Sequence, residues 1–481
     1  MRLFFGTGCI ALCLVACGDD AAVGGLDGSS SAAEPSSSGA LDSSSSTTSA
    51  PSTESSSSTS SAASSEDTGA ESSSSSGATT TGENPQEFYA GFDITDISPN
   101  EGHLALNVYM GAYGPPFVRG PAESVHDNVY IRSFAISFGD VGFVAAVADL
   151  PGFGNNFTAD IVARVAENTG LPPEHIMVGA THTHSAPDFM GLWGGGPSEY
   201  RNPAIDEVVG SMSRAWILRE PATLEVASAT GPNNNRRDWE FTDDSITLLM
   251  ARDDSGELVG SVGVFAAHPT VLGQSNRQIT RDWCAGYIDT MEENTGAPAV
   301  LFNGILGDAS VASPPGKFAD GFESSFAYGA IIADIAHENA GAADAISDGI
   351  VVDHTTWTMP VENVLFQLAA AIDLLDYSFS DSGDGQSVNA TSTYVRLGEE
   401  LQFVSFPGEP LTRTGLEVKS MMTTPHQAIL GNTGPAFGYF ILGDEWMTGR
   451  NDDYEETVSL HETAGDLAVD ALMDLVESDR F

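Results

Sequence analysis

The sequence predicts an α/β fold, with mixed β-sheets flanked by helices in a single large domain. Three observations carry that prediction. Apolar runs of strand length alternate with segments of helical periodicity, two strand–helix–strand units follow each other in order, and neither an internal repeat nor a second linker interrupts residues 88–481.

The first unit starts with "VGFVAAVADL" (Val141 to Leu150), read as a buried strand. Thr158 then caps a helix whose Ile161, Val162 and Val165 share a face, and Gly170 with Pro172 and Pro173 ends it. "IMVGATHTH" is the return strand, with His182 and His184 at its end. In the second unit "LVGSVGVFAAHPT" is a strand ending at His268, a helix runs from Trp283 to Asn294, and "PAVLFNGILGDAS" leads into a Gly-containing turn. Further on, "LQFVSFPGEP" delivers Glu409 at a strand end, with a helix expected from Leu411. Val469, Leu472, Met473 and Val476 mark a last helix by their spacing.

Ahead of this body lie two segments of different character. Residues 1–17 have the layout of an export signal: Arg2, a short apolar core, then "LVAC". That ending resembles the lipobox of bacterial lipoproteins, which implies cleavage before Cys17, acylation of Cys17 and an exported protein anchored at the outer membrane or cell surface. Residues 18–87 are mostly Ser, Thr, Ala and Gly, with acids and no Lys or Arg. Such a chain has too little apolar surface to offset the entropy of ordering, so a disordered acidic linker is expected.

The chain has 67 acidic against 18 basic residues, a formal charge of −49. Phosphate would be repelled, which argues against nucleic acid as a partner. Of the 4 cysteines, Cys9 and Cys13 sit in the signal and Cys17 at the lipobox. Cys284 is left alone, so no intrachain disulfide is expected despite export.

His182 and His184 are two apart, and alternate residues of a strand point to one face. Together with His268 and Glu409, each ending its own strand, they put three or four ligand-type side chains on one edge of the sheet. Zinc takes nitrogen and oxygen donors tetrahedrally, and a catalytic zinc keeps one position for water. Each residue also has a plainer reading. The histidines cap backbone groups, and Glu409 offsets a helix dipole. Asp308 reads either as a residue supporting the metal ligands or as a turn residue.

"THTHSAP" resembles the "THTHSGP" motif of the neutral ceramidases. The likeness continues in order through "AGFDITDISP", "GAYG", "VHDNVYIRSFAI", "NNNR", "FAAHPT", "GDAS", "PGE" and "FGYF". It implies residues 88–481 as a catalytic domain and a zinc-dependent amidase that cleaves the N-acyl bond of ceramide or a related N-acyl lipid by a metal-activated water. By position, His182, His268, Glu409 and Tyr439 resemble the zinc ligands, and His184 the general base. Arg236 and Tyr454 resemble polar groups around the reacting carbonyl, with Arg237 next door as a rival to Arg236. Ser310 takes the place of the serine in the family's "GDVSP", a nucleophile in one view and a site-lining hydroxyl in another. No strand-to-helix G-x-S-x-G elbow surrounds it, which favours the water. Tyr439 among phenylalanines also reads as core, and Tyr454 in "NDDYEE" as a surface aromatic.

Three departures stand out. Ala186 replaces the motif's Gly, "GDASV" lacks its Pro, and the stretch after Glu409 leaves no room for the family's C-terminal immunoglobulin-like domain, which bears on the substrate more than on the metal. The alternatives are a zinc hydrolase of another amide or ester, and a non-catalytic surface lipoprotein.

Overall fold

The computed structural model describes residues 86–113, 119–237, 239–371, 375–382, 385–447 and 454–479, all within one compact unit. The expected signal, the lipobox Cys17 and nearly all of the expected linker lie outside the described residues.

Eight strands build the main sheet: β1 (Phe88–Asp96), β2 (Tyr130–Phe138), β3 (Val141–Ala148), β4 (Ile176–Ala180), β5 (Glu220–Thr230), β6 (Ser245–Arg252), β7 (Leu258–Phe265) and β8 (Ala299–Asn303). Their order is β8-β7-β6-β5-β1-β2-β3-β4, and the short segment Asp344–Ala345 adds a ninth strand beside β5. Only β3/β4 and β7/β8 are parallel; the other pairs are antiparallel. These parallel pairs are the two predicted strand–helix–strand units, crossed by α1 (Asn155–Thr169) and α3 (Trp283–Thr295). A second sheet contains β9 (Ile350–Val361), β10 (Gly385–Leu397), β11 (Leu401–Ser405) and β12 (His426–Leu430), with Ser380–Ser382 at its edge.

The two sheets pack face to face between helices, giving an α-β-β-α arrangement. The period-2 alternation of the strands assigns each face. Val395, Leu397, Leu401, Phe403, Ala428 and Leu430 of the second sheet meet Phe134, Phe143, Val262 and Phe302 of the main one. Their neighbours Tyr394, Val404 and Ile429 point the other way, onto α5 (Ala464–Ser478), whose Val469, Leu472 and Val476 are buried there. Each fully buried Phe or Leu contributes roughly 2–3 kcal/mol of transfer free energy. The outer face of the main sheet is covered at one end by α1 and α2 (Ser198–Ile217), and at the other by α3 and α4 (Gly321–Ala340). Among the described residues no helix is long and apolar enough to cross a membrane.

One helix boundary differs from the sequence reading. Thr158 is not the cap of α1, which begins at Asn155 after Gly154; its hydroxyl donates back to the Gly154 carbonyl at 2.9 Å inside the first turn. Asp376 supplies the missing acceptor, its carboxylate taking the Phe157 amide at 2.9 Å. The helix is capped from a distant segment, which no local pattern reveals.

Helices α3 and α4 touch through glycines. A Cβ on Gly329 would overlap the Trp283 carbonyl, and one on Gly286 the Phe326 carbonyl. Backbone cannot move aside as a side-chain tip does, so the helices would have to separate. Gly329→Ala is therefore expected to lower unfolding stability by about 2 kcal/mol or more, measured by chemical denaturation.

Candidate metal centre

The carboxyl ends of both parallel pairs and of β12 meet at one place. Asn303, the last residue of β8, donates to the carbonyls of Thr181 and Ala267, each at 3.0 Å. The Gly431 amide donates to the Asn303 carbonyl at 2.8 Å, and the Ala180 amide to the Asn432 carbonyl at 3.1 Å. The loops that carry His182, His268 and Glu409 leave from this junction.

None of these ligand-type residues lies in the strand from which it was expected to project. β4 stops at Ala180, β7 at Phe265 and β11 at Ser405. His182 has φ 67°, a left-handed conformation uncommon for a residue with a Cβ, and this turn, not strand alternation, brings its ring beside that of His184. The following loop is pinned by buried Asp188, whose carboxylate accepts the amides of Met190, Gly191, Trp193 and Gly195 at 2.7–2.9 Å. Ala186 is buried and is not among the residues with positive φ, so the departure from Gly needs no strained backbone.

His182 Nε2 lies 3.3 Å from Glu409 Oε2, and His268 Nε2 lies 3.1 Å from the same oxygen. His184 Nε2 is 3.1 Å from His182 Nε2, and the ligand atoms of the three imidazoles all fall within 4.8 Å of one another. All four side chains are buried. Protonation follows from what lies behind each ring. His182 Nδ1 is 2.6 Å from the Pro151 carbonyl and His268 Nδ1 is 2.7 Å from the Leu306 carbonyl. A carbonyl only accepts, so both Nδ1 atoms carry the hydrogen. In the neutral rings each Nε2 then presents a lone pair, and both lone pairs face a carboxylate oxygen.

Such a set repels itself unless a proton or a metal cation sits among the donors. The spacing fits a metal: bonds of 2.0–2.1 Å in a tetrahedron separate neighbouring donors by about 3.3 Å. The carbonyl behind each imidazole is the usual second layer of a metal site, fixing tautomer and ring plane. These residues fit a divalent ion.

Tyr439 completes one side. Its hydroxyl is 3.5 Å from His268 Nε2 and accepts from Arg236 at 3.3 Å. Burial first, then Glu409, pushes the phenol well above its ordinary pKa, while Arg236 opposes them. Arg236 also donates to the Gly307 carbonyl at 2.9 Å and to Glu455 at 2.7 Å. Arg237 instead pairs with Glu455 and Glu456, so of the two arginines Arg236 is the one in contact with Tyr439. Tyr454 packs edge-on against Tyr439, with ring centroids 6.0 Å apart. Ser310 bridges His268 through its backbone, but its hydroxyl donates to the Asn234 carbonyl at 3.4 Å.

Asp308 has a larger part than a turn residue. Its carboxylate takes the Thr412 amide and hydroxyl, both at 2.6 Å, and Asn235 at 2.8 Å. It thereby ties the turn behind His268 to the helix that follows Glu409. Three more contributors had only turn-like or unremarkable surroundings in the sequence. Tyr113, in the quoted "GAYG", packs edge-on against His184 at 4.9 Å. Arg119 donates to the His184 carbonyl. Asn432 stands behind His182.

No protein-family model matches the chain. Among curated proteins it is similar to the neutral ceramidases of Drosophila pseudoobscura pseudoobscura and Drosophila melanogaster, each 23% identical over 193 residues, covering 34% of this chain and 27% of the relative. The chain thus spans about a quarter of the length of those relatives. The crystal structure of neutral ceramidase from Pseudomonas aeruginosa superposes with a TM-score of 0.67 at 18% identity, covering 82% of this chain and 75% of that one. The chain shares the fold of that neutral ceramidase. A ceramidase complexed with C2 superposes at 0.68 with 17% identity and the same coverage. The neutral ceramidase fold accounts for the mixed sheets and flanking helices expected from the sequence.

Electrostatics sets the pH range for a metal. Burial pulls the His182 imidazole down, but facing Glu409 outweighs it and raises the ring above the ordinary histidine value. Glu409, though buried, is held well below the usual carboxylate range by His182 and His268. A ligand whose pKa is raised keeps its proton to higher pH, and that proton competes with the metal. Divalent-metal affinity of the metal-free protein, measured by chelator competition, is expected to weaken as pH falls from about 8 to 6, with the loss beginning above the ordinary histidine pKa of about 6.5.

Proposed function

We propose that this chain is a zinc-dependent amidase that hydrolyses the N-acyl bond of ceramide or a related N-acyl lipid, releasing a fatty acid and an amine. The observation that supports this most is the convergence of His182 and His268, each with Nε2 3.1–3.3 Å from the same Glu409 oxygen, in a neutral ceramidase fold. Tyr439 is the fourth proposed ligand.

When bound, zinc lowers the pKa of a water toward about 7 and polarises a carbonyl oxygen. The protein's own groups do the rest. His184 is the proposed general base. Burial, and then the neighbouring His182 and His268, hold its pKa well below the ordinary value, so the ring is neutral and able to accept a proton. As the water oxygen bonds to the acyl carbon and the C–N bond breaks, that proton passes to the departing nitrogen. Atoms balance as one water added, one carboxylic acid and one amine formed. Arg236 and Tyr454 flank Tyr439 and are the proposed donors to the developing oxyanion, each such donor contributing roughly 3 kcal/mol when well placed. Ser310 is proposed to line the site, since its hydroxyl turns to Asn234 and not to an imidazole.

The reading extends to location: Cys17 as the acylated residue, residues 18–87 as a tether, and the outer membrane or cell surface as the place of action. Loss of membrane association in Cys17→Ser, followed by cell fractionation, tests that part.

Activity is best assayed as fatty-acid release from short- and long-chain ceramides beside N-acyl amino acids and simple esters. His182→Ala is expected to lose zinc and turnover together. His184→Ala is expected to keep the metal and lose at least about 100-fold in kcat, whereas Ser310→Ala keeps substantial activity. Normal turnover in His184→Ala removes the base assignment, and an acyl group trapped on Ser310 replaces the water mechanism.

A further inference from the structure

Asn432 is buried, 1% exposed, and lies in the loop after β12 with φ 49°. Its side-chain nitrogen is 3.0 Å from the Pro151 carbonyl, 3.4 Å from the Ala180 carbonyl and 3.3 Å from His182 Nδ1. The two carbonyls decide the amide's orientation. Only the NH2 end satisfies them, since the opposite flip would set oxygen against oxygen. The Pro151 carbonyl then accepts twice, from His182 Nδ1–H and from Asn432, and both of its lone pairs are used.

The Asn432 backbone engages the other half of the centre. Its amide donates to the Gly408 carbonyl at 2.7 Å, one residue before Glu409, and its carbonyl accepts from Ala180 at 3.1 Å, two residues before His182. One residue therefore spans the loops that carry an imidazole and the carboxylate, and its side chain orients the acceptor that fixes the imidazole's tautomer.

We propose that Asn432 is the positioning residue that sets the angle and tautomer of His182 toward the ion. The proposal rests on the metal reading above. It assigns to the side-chain amide a job separate from folding, because the links to Gly408 and Ala180 are made by the backbone and survive its removal.

Glycine is the informative replacement. It adopts φ 49° without strain and keeps both backbone links, whereas alanine would add a conformational cost of its own. Asn432→Gly is expected to melt, metal-free, within a few degrees of the parent. Its zinc affinity by chelator competition should fall about 10–100-fold, the usual effect of losing a partner behind a metal-bound histidine. The visible absorption of its cobalt(II) form should shift as well. Zinc affinity within twofold of the parent together with an unchanged cobalt spectrum overturns the proposal. If the parent itself binds neither ion, the metal reading fails and takes this inference with it.

Asn432→Asp covers the case in which the glycine variant does not fold. An oxygen in place of the NH2 repels the Pro151 carbonyl and draws His182 Nδ1–H to itself. A cobalt spectrum and affinity that differ from the parent in either direction support the proposal, and identity in both overturns it.

Discussion

Two imidazole Nε2 atoms, each 3.1–3.3 Å from one buried carboxylate oxygen, are the constraint on which the rest of this structure turns. Without a cation the arrangement is repulsive, and in a buried place water does little to screen it. The fold holds the groups there through carbonyls that take the Nδ1 hydrogens, and those carbonyls belong to other loops. On the proposed reading stability and function are coupled, because an ion bound there contributes free energy to the state that binds it. The large negative charge of the chain acts in the same direction, raising the local concentration of cations around it.

Much of the architecture was legible in the sequence because it rests on periodicity. The strands Val141–Ala148 and Ala299–Asn303 are apolar runs with no alternation, as expected where both faces are covered. Tyr394 and Val395, adjacent in sequence, serve opposite faces of the second sheet, which the period of two dictates. The sandwiching of two sheets was not legible. It depends on which apolar face meets which, and composition carries no record of that pairing.

At the site the residue types were legible and their geometry was not. His182, His184, His268 and Glu409 do converge, but from loops, two to four residues past the ends of their strands, not by same-face alternation within a strand. The positive φ of His182 is imposed by long-range contacts, among them its own amide donating to the Leu150 carbonyl at 3.0 Å. Asn432 reads locally as a turn residue in "GNTG", and its value lies in partners 281 and 250 positions away in the chain. The carbonyls of Pro151 and Leu306 leave no trace in residue identity at all. Sequence motifs report the atoms that touch a ligand far better than the backbone groups that aim them.

X-ray absorption at the zinc edge on the metal-loaded protein tests the central claim most directly. The account predicts a first shell of nitrogen and oxygen at about 2.0–2.1 Å with clear imidazole outer-shell scattering from at least two histidines, lost in His182→Ala. A shell containing sulfur at about 2.3 Å, or one without imidazole scattering, would contradict it.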